Sequence, residues 1–263
     1  MGESRQPKRS REELHALLID AGRSILREEG FGTTSGNLTF KKVYERVERD
    51  AGVRLTNASV IRRVWENQAE FQADVLVAIA QDEDRPEIER TIAALSAVFD
   101  GLDFSTVESR ARAMHEVCRI GAAANGEALL DSPSWSLWIN VWAMATAGNS
   151  PAQQQRIRSV LREGYNSVNK LWEETYGALA ALLGLRVRRP LTIRQFTVAV
   201  GALSEGCSMR SRIEGQMEAV FRPTGPDGAD QEWTVFAIGL VALVQEFFEP
   251  DPDHVWDPAP TGA

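Results

Sequence analysis

The stretch from Phe40 to Phe71, FKKVYERVERDAGVRLTNASVIRRVWENQAEF, narrows what this chain can become more than any other. Two short amphipathic segments flank Ala51-Gly52-Val53, the second of them rich in arginine, and a longer apolar segment begins where the stretch ends. Glycine at such a junction lets the backbone enter the left-handed region and bend sharply. The layout is that of a helix-turn-helix, in which the first helix braces the second.

The flanking pattern agrees. Ser10 followed by Glu13 has capping-box spacing, and Leu14, Leu17, Leu18, Ala21 and Ile25 recur at helical intervals. A helix is expected from Arg11 to Glu29, closed at Gly30-Phe31-Gly32. Beyond a polar loop, Thr39 is the expected N-cap of a second helix with Phe40, Val43, Tyr44, Val47 and Ala51 on one stripe. Lys41, Lys42, Arg46 and Arg49 are thereby left outside that stripe. Asn57 caps the next segment, whose Ile61 and Trp65 point inward while Arg62 and Arg63 point away. Asn67 with Glu70 forms a further capping box, opening a helix with Phe71, Val75, Leu76 and Ile79 on its apolar face.

Charge is divided unevenly along the chain. Residues 1 to 65 hold 13 Lys/Arg against 9 Asp/Glu, and the remainder 16 against 28, within a net charge of -8. A basic N-terminal segment on an acidic protein suits a polyanion contacted at one end only, because the local field attracts phosphates. Hydrophobic content of 43% and charged content of 25% are those of a soluble globular protein. No run approaches the roughly 18 apolar residues of a membrane span, and MGESRQPKRSREE has no secretory apolar segment. A cytoplasmic protein without a membrane partner is expected. Cys118 and Cys207 then read as two reduced, packed thiols.

The rest of the chain reads as helical. Pro86 opens a segment with Ile88, Ile92, Leu95 and Phe99 that ends near Gly101. Ser105 and Glu108 form a capping box before Val107, Ala111, Met114, Cys118 and Gly121. Ser132-Pro133 and Ser150-Pro151 head two more helices, the second running to Gly184, because proline in a first turn gives up no hydrogen bond. Arg186 to Pro190 reads as a basic linker, Thr192 to about Ile213 as a helix, Arg222 to Asp230 as a loop, and Gln231 or Glu232 as the start of the last helix. No strand-like alternation is long enough to count.

A helix ending in EEGFG, a second ending in Ala51-Gly52-Val53, an aromatic at Trp65 and then Asn67-Gln68-Ala69-Glu70-Phe71 together resemble the tetracycline-repressor (TetR) family of transcription regulators, across residues 10 to 80. Leu191-Thr192, opening a helix through Ala202-Leu203-Ser204-Glu205-Gly206, is also similar. Arg62 stands where the family commonly has a phosphate-contacting tyrosine, and Gln68 where it has a lysine. The turn is extended by Arg54-Leu55-Thr56, and the connection between the first two helices is longer than usual. Arginine can replace the tyrosine and adds bidentate guanine recognition, whereas Gln68 supplies no charge.

The resemblance implies an all-α protein in four parts: a flexible basic arm at 1–9, a helix-turn-helix DNA-binding domain at 10–66, a helical ligand-binding and dimerisation domain at 67–248, and a flexible acidic tail at 249–263. It implies a repressor that binds a double-stranded operator as a homodimer and is released by a small hydrophobic or aromatic effector. The helices from Thr192 to Ile213 and Gln231 to Phe248 would form the dimer interface. Base-reading candidates are Arg54, Thr56, Asn57, Ser59, Arg62 and Arg63, and backbone candidates are Lys41, Lys42 and Arg46. Phe99, Met114, His115, Cys118, Trp135, Trp138, Trp142, Trp172 and Tyr176 are candidates for an apolar ligand pocket, although aromatic residues at helical spacing equally suit a packed core. His115 and Cys118 have no second pair at metal-ligand spacing, so neither metal nor cofactor is expected. No catalytic arrangement is visible, and an enzyme is not expected. The alternative is a helical ligand- or protein-binding module that has lost operator reading.

Overall fold

The computed structural model describes residues 9–30, 38–55, 63–81, 85–99, 101–147, 151–215, 218–225 and 228–254. Among these the architecture is all-α: α1 Arg11–Glu29, α2 Phe40–Ala51, α3 Gln68–Ala80, α4 Pro86–Phe99, α5 Val107–Asp131, α6 Pro133–Ala147, α7 Pro151–Leu182, α8 Ile193–Glu214 and α9 Val235–Phe247. Four three-residue strands accompany them: β1 Leu185–Val187, β2 Val220–Arg222, β3 Gln231–Trp233 and β4 Phe248–Pro250. The chain divides into two compact units, one of Met1–Asp84 with Pro133–Gly164, the other of Arg85–Ser132 with Tyr165–Ala263.

In the first unit, α1 begins as its sequence dictates. The Ser10 hydroxyl accepts from the Glu13 amide at 3.0 Å, and the Glu13 carboxylate accepts from the Ser10 amide at 2.8 Å. Leu14, Leu18, Ile25 and Leu26 are buried, and α1 packs on α2, α3 and α6. Gly22 brings α1 and α3 close, for a Cβ there would stand 2.8 Å from Val75 Cγ2. Phe40, Val43 and Val47 of α2 are buried as expected, but Ala51 is exposed because the stripe turns toward solvent at the last turn. Trp138 and Val141 of α6 and Ile157 and Leu161 of α7 complete this core.

The cap of α3 differs from its expected form. Asn67 accepts from the Glu70 amide, yet the Glu70 carboxylate turns to the Glu66 amide at 2.9 Å, one residue before the expected partner. Both bonds still satisfy amides at the helix entry.

In the second unit, α5 lies along α4, α8 and α9. Cys118, Ala122, Phe196, Val200, Trp233, Phe236, Ala237 and Phe248 form its core. The α5 cap is Thr106 with Ser109, rather than Ser105 with Glu108: the Asp103 carboxylate takes the Ser105 amide at 2.8 Å and delivers Thr106 to the cap position. Val107 and Ala111 consequently face solvent.

The strands overturn the expectation of none. Leu185–Val187, which overlaps the expected basic linker Arg186 to Pro190, pairs antiparallel with Phe248–Pro250, part of which was expected in a loose tail. Val220–Arg222 pairs with Gln231–Trp233, so a hairpin stands where the last helix was expected to start, and that helix begins instead at Val235 with Thr234 as its cap. Three-residue strands have no readable period; tertiary partners decide them. Trp233 is almost wholly buried and donates its indole N–H to Thr224 Oγ1 at 2.8 Å, which ties the hairpin down. Arg188 lays its guanidinium on the carbonyls of Gln245, Glu246 and Phe248, and Arg212 covers those of Leu129 and Leu130, so arginines satisfy the orphan carbonyls at two helix ends.

Candidate nucleic-acid interface

The chain leaves α2 through Gly52, at φ 64 and ψ 21, the left-handed geometry expected of a tight bend. Val53 is buried directly after it, and the described chain resumes at Arg63 and Val64 before Trp65 turns back into the core. Trp65 meets Phe71 edge-on at 4.9 Å, and Phe71 stacks on Phe40 at 5.1 Å, so an aromatic cluster fixes α2, α3 and the end of the arginine-rich segment together. Thr56, Asn57, Ser59 and Arg62, with the expected Asn57 cap and Ile61, lie outside the described residues.

Arg54 and Arg63, at the two ends of that segment, are both exposed. Arg63 donates to the Arg9 carbonyl at 3.3 Å, which joins the end of the basic arm to the same surface. The three backbone candidates of α2 differ from one another. Lys41 is open to solvent, with Glu45 no nearer than 4.0 Å. Lys42 reaches Glu29 at 2.8 Å. Arg46 is bonded to both Glu28 and Asp50, and its guanidinium holds the Glu28 carboxyl below its ordinary range. Arg46, expected outward, is thus largely covered by the last turn of α1 and its own helix.

Gln68 and Gln72 of α3 both serve the entry of α2. Gln68 Oε1 accepts from the Phe40 amide at 3.4 Å, and Gln72 Nε2 donates to the Leu38 carbonyl at 2.8 Å. Gln68 therefore supplies an acceptor to a helix N-terminus, where a lysine could only donate.

Sequence reasoning overlooked Asp74. Its Oδ2 accepts from Trp65 Nε1 at 2.7 Å and lies 3.3 Å from His15 Nε2, while its Oδ1 accepts from Arg156 Nη1. Burial acts to raise this carboxyl's pKa, but the Trp65 and Arg156 hydrogen bonds and the Arg156 charge outweigh it and hold it below the ordinary value. The available signal was a single acid amid the apolar face of α3, three residues after Phe71 and next to Val75.

The nominated ligand residues fall in both units. Trp135 and Trp138 are buried in the first, and Trp142 is half exposed there. In the second, Met114, Cys118 and Tyr176 belong to one apolar cluster. Trp172 stacks on Tyr176 at 5.3 Å, Tyr176 meets Phe196 edge-on, and His115 meets Trp233 edge-on at 6.1 Å. Burial, reinforced by Arg222, lowers the His115 pKa, so the ring favours its neutral form. Phe99 stacks on Phe104 at 6.2 Å. Cys118 is buried and its thiol is pushed up to about 12, which leaves it protonated and inert. Among the described residues no three metal-ligating side chains gather, and no helix is long and apolar enough to cross a membrane.

No family model matches the chain, and no curated protein matches it in sequence. Solved structures similar to it include these two. One is described as a putative transcriptional regulator TetR family protein from Vibrio parahaemolyticus, at 14% identity and a TM-score of 0.45, covering 89% of this chain and 98% of that one. The other is SmeT, the repressor of the Stenotrophomonas maltophilia multidrug efflux pump SmeDEF, at 14% identity and a TM-score of 0.38, covering 97% of each chain.

Proposed function

We propose that this protein is a TetR-like transcriptional repressor that binds an operator as a homodimer and is released by a small hydrophobic or aromatic ligand. One observation carries the reading: the chain leaves α2 through a left-handed Gly52, returns at a buried Trp65, and sets exposed Arg54 and Arg63 at the two ends of the intervening segment. A segment so braced can enter a major groove, with Arg54, Thr56, Asn57, Ser59, Arg62 and Arg63 at the bases and Lys41, Lys42 and Arg46 at the phosphates. Lys42 and Arg46 would exchange their carboxylate partners for phosphate. In this reading residues 10–66 recognise DNA, and the helices that follow bind ligand and dimerise.

Dimerisation is supported by α8, where Val198, Ala202, Gly206, Met209 and Ile213 are all exposed along one side at spacings of four, four, three and four. An uncovered stripe of this kind on a soluble helix suits a second copy. Met114, Cys118, Trp172 and Tyr176 remain our candidates for the ligand site. The effector acts by shifting the population of states that fit the operator.

The test uses the DNA upstream of the protein's own gene in fluorescence anisotropy. Wild-type protein should bind with a steep salt dependence, and Arg62→Ala with Arg63→Ala should lose specific binding while circular dichroism and dimer mass stay constant. Unchanged affinity and salt slope in the double variant would refute the assignment. A second reading, a helical binding module without operator recognition, is favoured by Gln68, whose oxygen is engaged by the Phe40 amide and which carries no charge. Absence of any specific DNA binding by the wild type would select it.

A further inference from the structure

A carboxylate that collects three partners from three different parts of the chain needs a reason. Asp74 lies on α3, His15 on α1, Trp65 at the end of the arginine-rich segment, and Arg156 in the first turns of α7, within the same compact unit. Trp65 is only 4% exposed. Its indole N–H has no acceptor capacity and must donate somewhere, and Asp74 Oδ2 takes that bond at 2.7 Å. The His15 ring lies against the same indole in a tilted arrangement, centroids 5.0 Å apart, and contacts the same oxygen, so ring and carboxylate both hold Trp65.

Asp74 itself is costly to place, since its side chain keeps only 17% of its exposure. The Trp65 N–H cannot cancel a charge; the Arg156 guanidinium does, on the other oxygen. With Arg156 gone, the carboxylate would keep only Trp65 and His15 beside it, and it would turn toward water or take up a proton. Either outcome weakens its acceptance from Trp65. Arg156 is itself 55% exposed, and so contributes little packing of its own.

We infer that Asp74 is the positioning residue of the DNA-reading segment, holding Trp65 in register, and that Arg156 of α7 sets the strength of that hold. The inference rests on the proposed DNA-reading role for its consequence, though not for its geometry. A displacement of the first turns of α7 would then reach the reading segment through Asp74, without passing through a base- or phosphate-contacting side chain. Trp65 supplies both a broad ring for the aromatic cluster and an N–H for the carboxylate.

The experiment is a double-variant cycle on the full chain, read first without DNA. The Trp65 indole N–H resonance, assigned by its disappearance in Trp65→Phe, should move in Arg156→Ala and stay close to wild type in Arg156→Lys. Amide exchange across residues 63–67 should quicken at least tenfold in Arg156→Ala. Both effects should vanish when Asp74→Asn is already present, because the two residues act in series. If Asp74→Asn does not fold, Trp65→Phe takes its place in the cycle with amide exchange as the readout. An unmoved indole resonance in Arg156→Ala, or an equal response with and without Asp74, overturns the inference. The operator measurement follows: Arg156→Ala should weaken specific binding about tenfold with the salt slope unchanged, since no phosphate contact is lost. If wild-type protein binds no operator, the functional reading falls while the indole cycle still decides whether Asp74 couples Arg156 to Trp65.

Discussion

Gly22→Ala is the substitution whose outcome the packing of the first unit determines most directly. A methyl group at this position of α1 would stand 2.8 Å from Val75 Cγ2, 3.3 Å from Leu38 Cδ1 and 3.3 Å from Phe71 Cζ. Unstrained carbon atoms sit about 3.5–4.0 Å apart. All three neighbours are at most 1% exposed, so none has free space to move into. Val75 is also β-branched and locked at χ1 by its own helix. Against the clash stands intrinsic helix propensity, which favours alanine over glycine by about 1 kcal/mol. Overpacking of a filled core costs about 1–3 kcal/mol, and a stiff nearest neighbour places this site toward the upper part of that range. The net expectation is a loss of about 1–2 kcal/mol. Gly177→Ala on α7 is the control, since it is exposed, with no atom within 4 Å of the added methyl, and should gain up to about 1 kcal/mol. Urea denaturation followed by circular dichroism measures both variants, and amide exchange in α1 localises the loss to the first unit. A Gly22→Ala protein as stable as wild type, or one indistinguishable from Gly177→Ala, would refute the close packing of α1 on α3.

Further outcomes are expected. Thr106→Ala should destabilise by about 1 kcal/mol, whereas Ser105→Ala should be nearly neutral, since the Thr106 hydroxyl and not that of Ser105 accepts the helical amide; thermal denaturation of the two variants separates them. In the native protein Cys118 should resist iodoacetamide at about pH 8 and react only on unfolding, because burial pushes its thiol up to about 12; mass spectrometry of labelled peptides reports this, and rapid native labelling would contradict its burial. Asp74 has a folded pKa below its unfolded value, so its contribution is complete above the unfolded carboxylate range, about pH 4, and is lost as pH falls through the folded pKa. The acid limb of a stability profile should accordingly flatten in Asp74→Asn. Lys41→Ala, which removes the most open cation of α2, should weaken binding to any DNA sequence and reduce the salt slope by about one.

The range of each interaction separates the features legible in the sequence from those that are not. The bounds of α1 and α2, the caps at Ser10, Thr39 and Thr192 and the bend at Gly52 all depend on residues within a turn of one another. The α5 cap lies one residue beyond its expected position because Asp103, a loop side chain, claims the Ser105 amide first. The strands at Leu185 and Val220 are invisible in sequence because each draws its hydrogen bonds from a partner on the far side of α9 or of a loop. In the candidate interface the residue types are legible, but their availability is not: Lys41 and Arg46 share a helix and a charge, yet Arg46 is engaged by Asp50 of its own helix and by Glu28 of α1 while Lys41 stays open, and the Glu28 contact is set by the fold.

By itself, the sequence determined that this chain is helical, that its N-terminal part is basic, and that a glycine bend separates two short helices ahead of Trp65. Those properties are carried by periodicity, local caps and backbone sterics, none of which needs a distant partner. Only the tertiary structure decided that Gln68 serves the head of α2, and that Asp74 gathers His15, Trp65 and Arg156 onto a single carboxylate. A half-buried charge has no characteristic spacing in sequence; its partners are whichever groups the packed helices bring within reach, and that is a property of the fold.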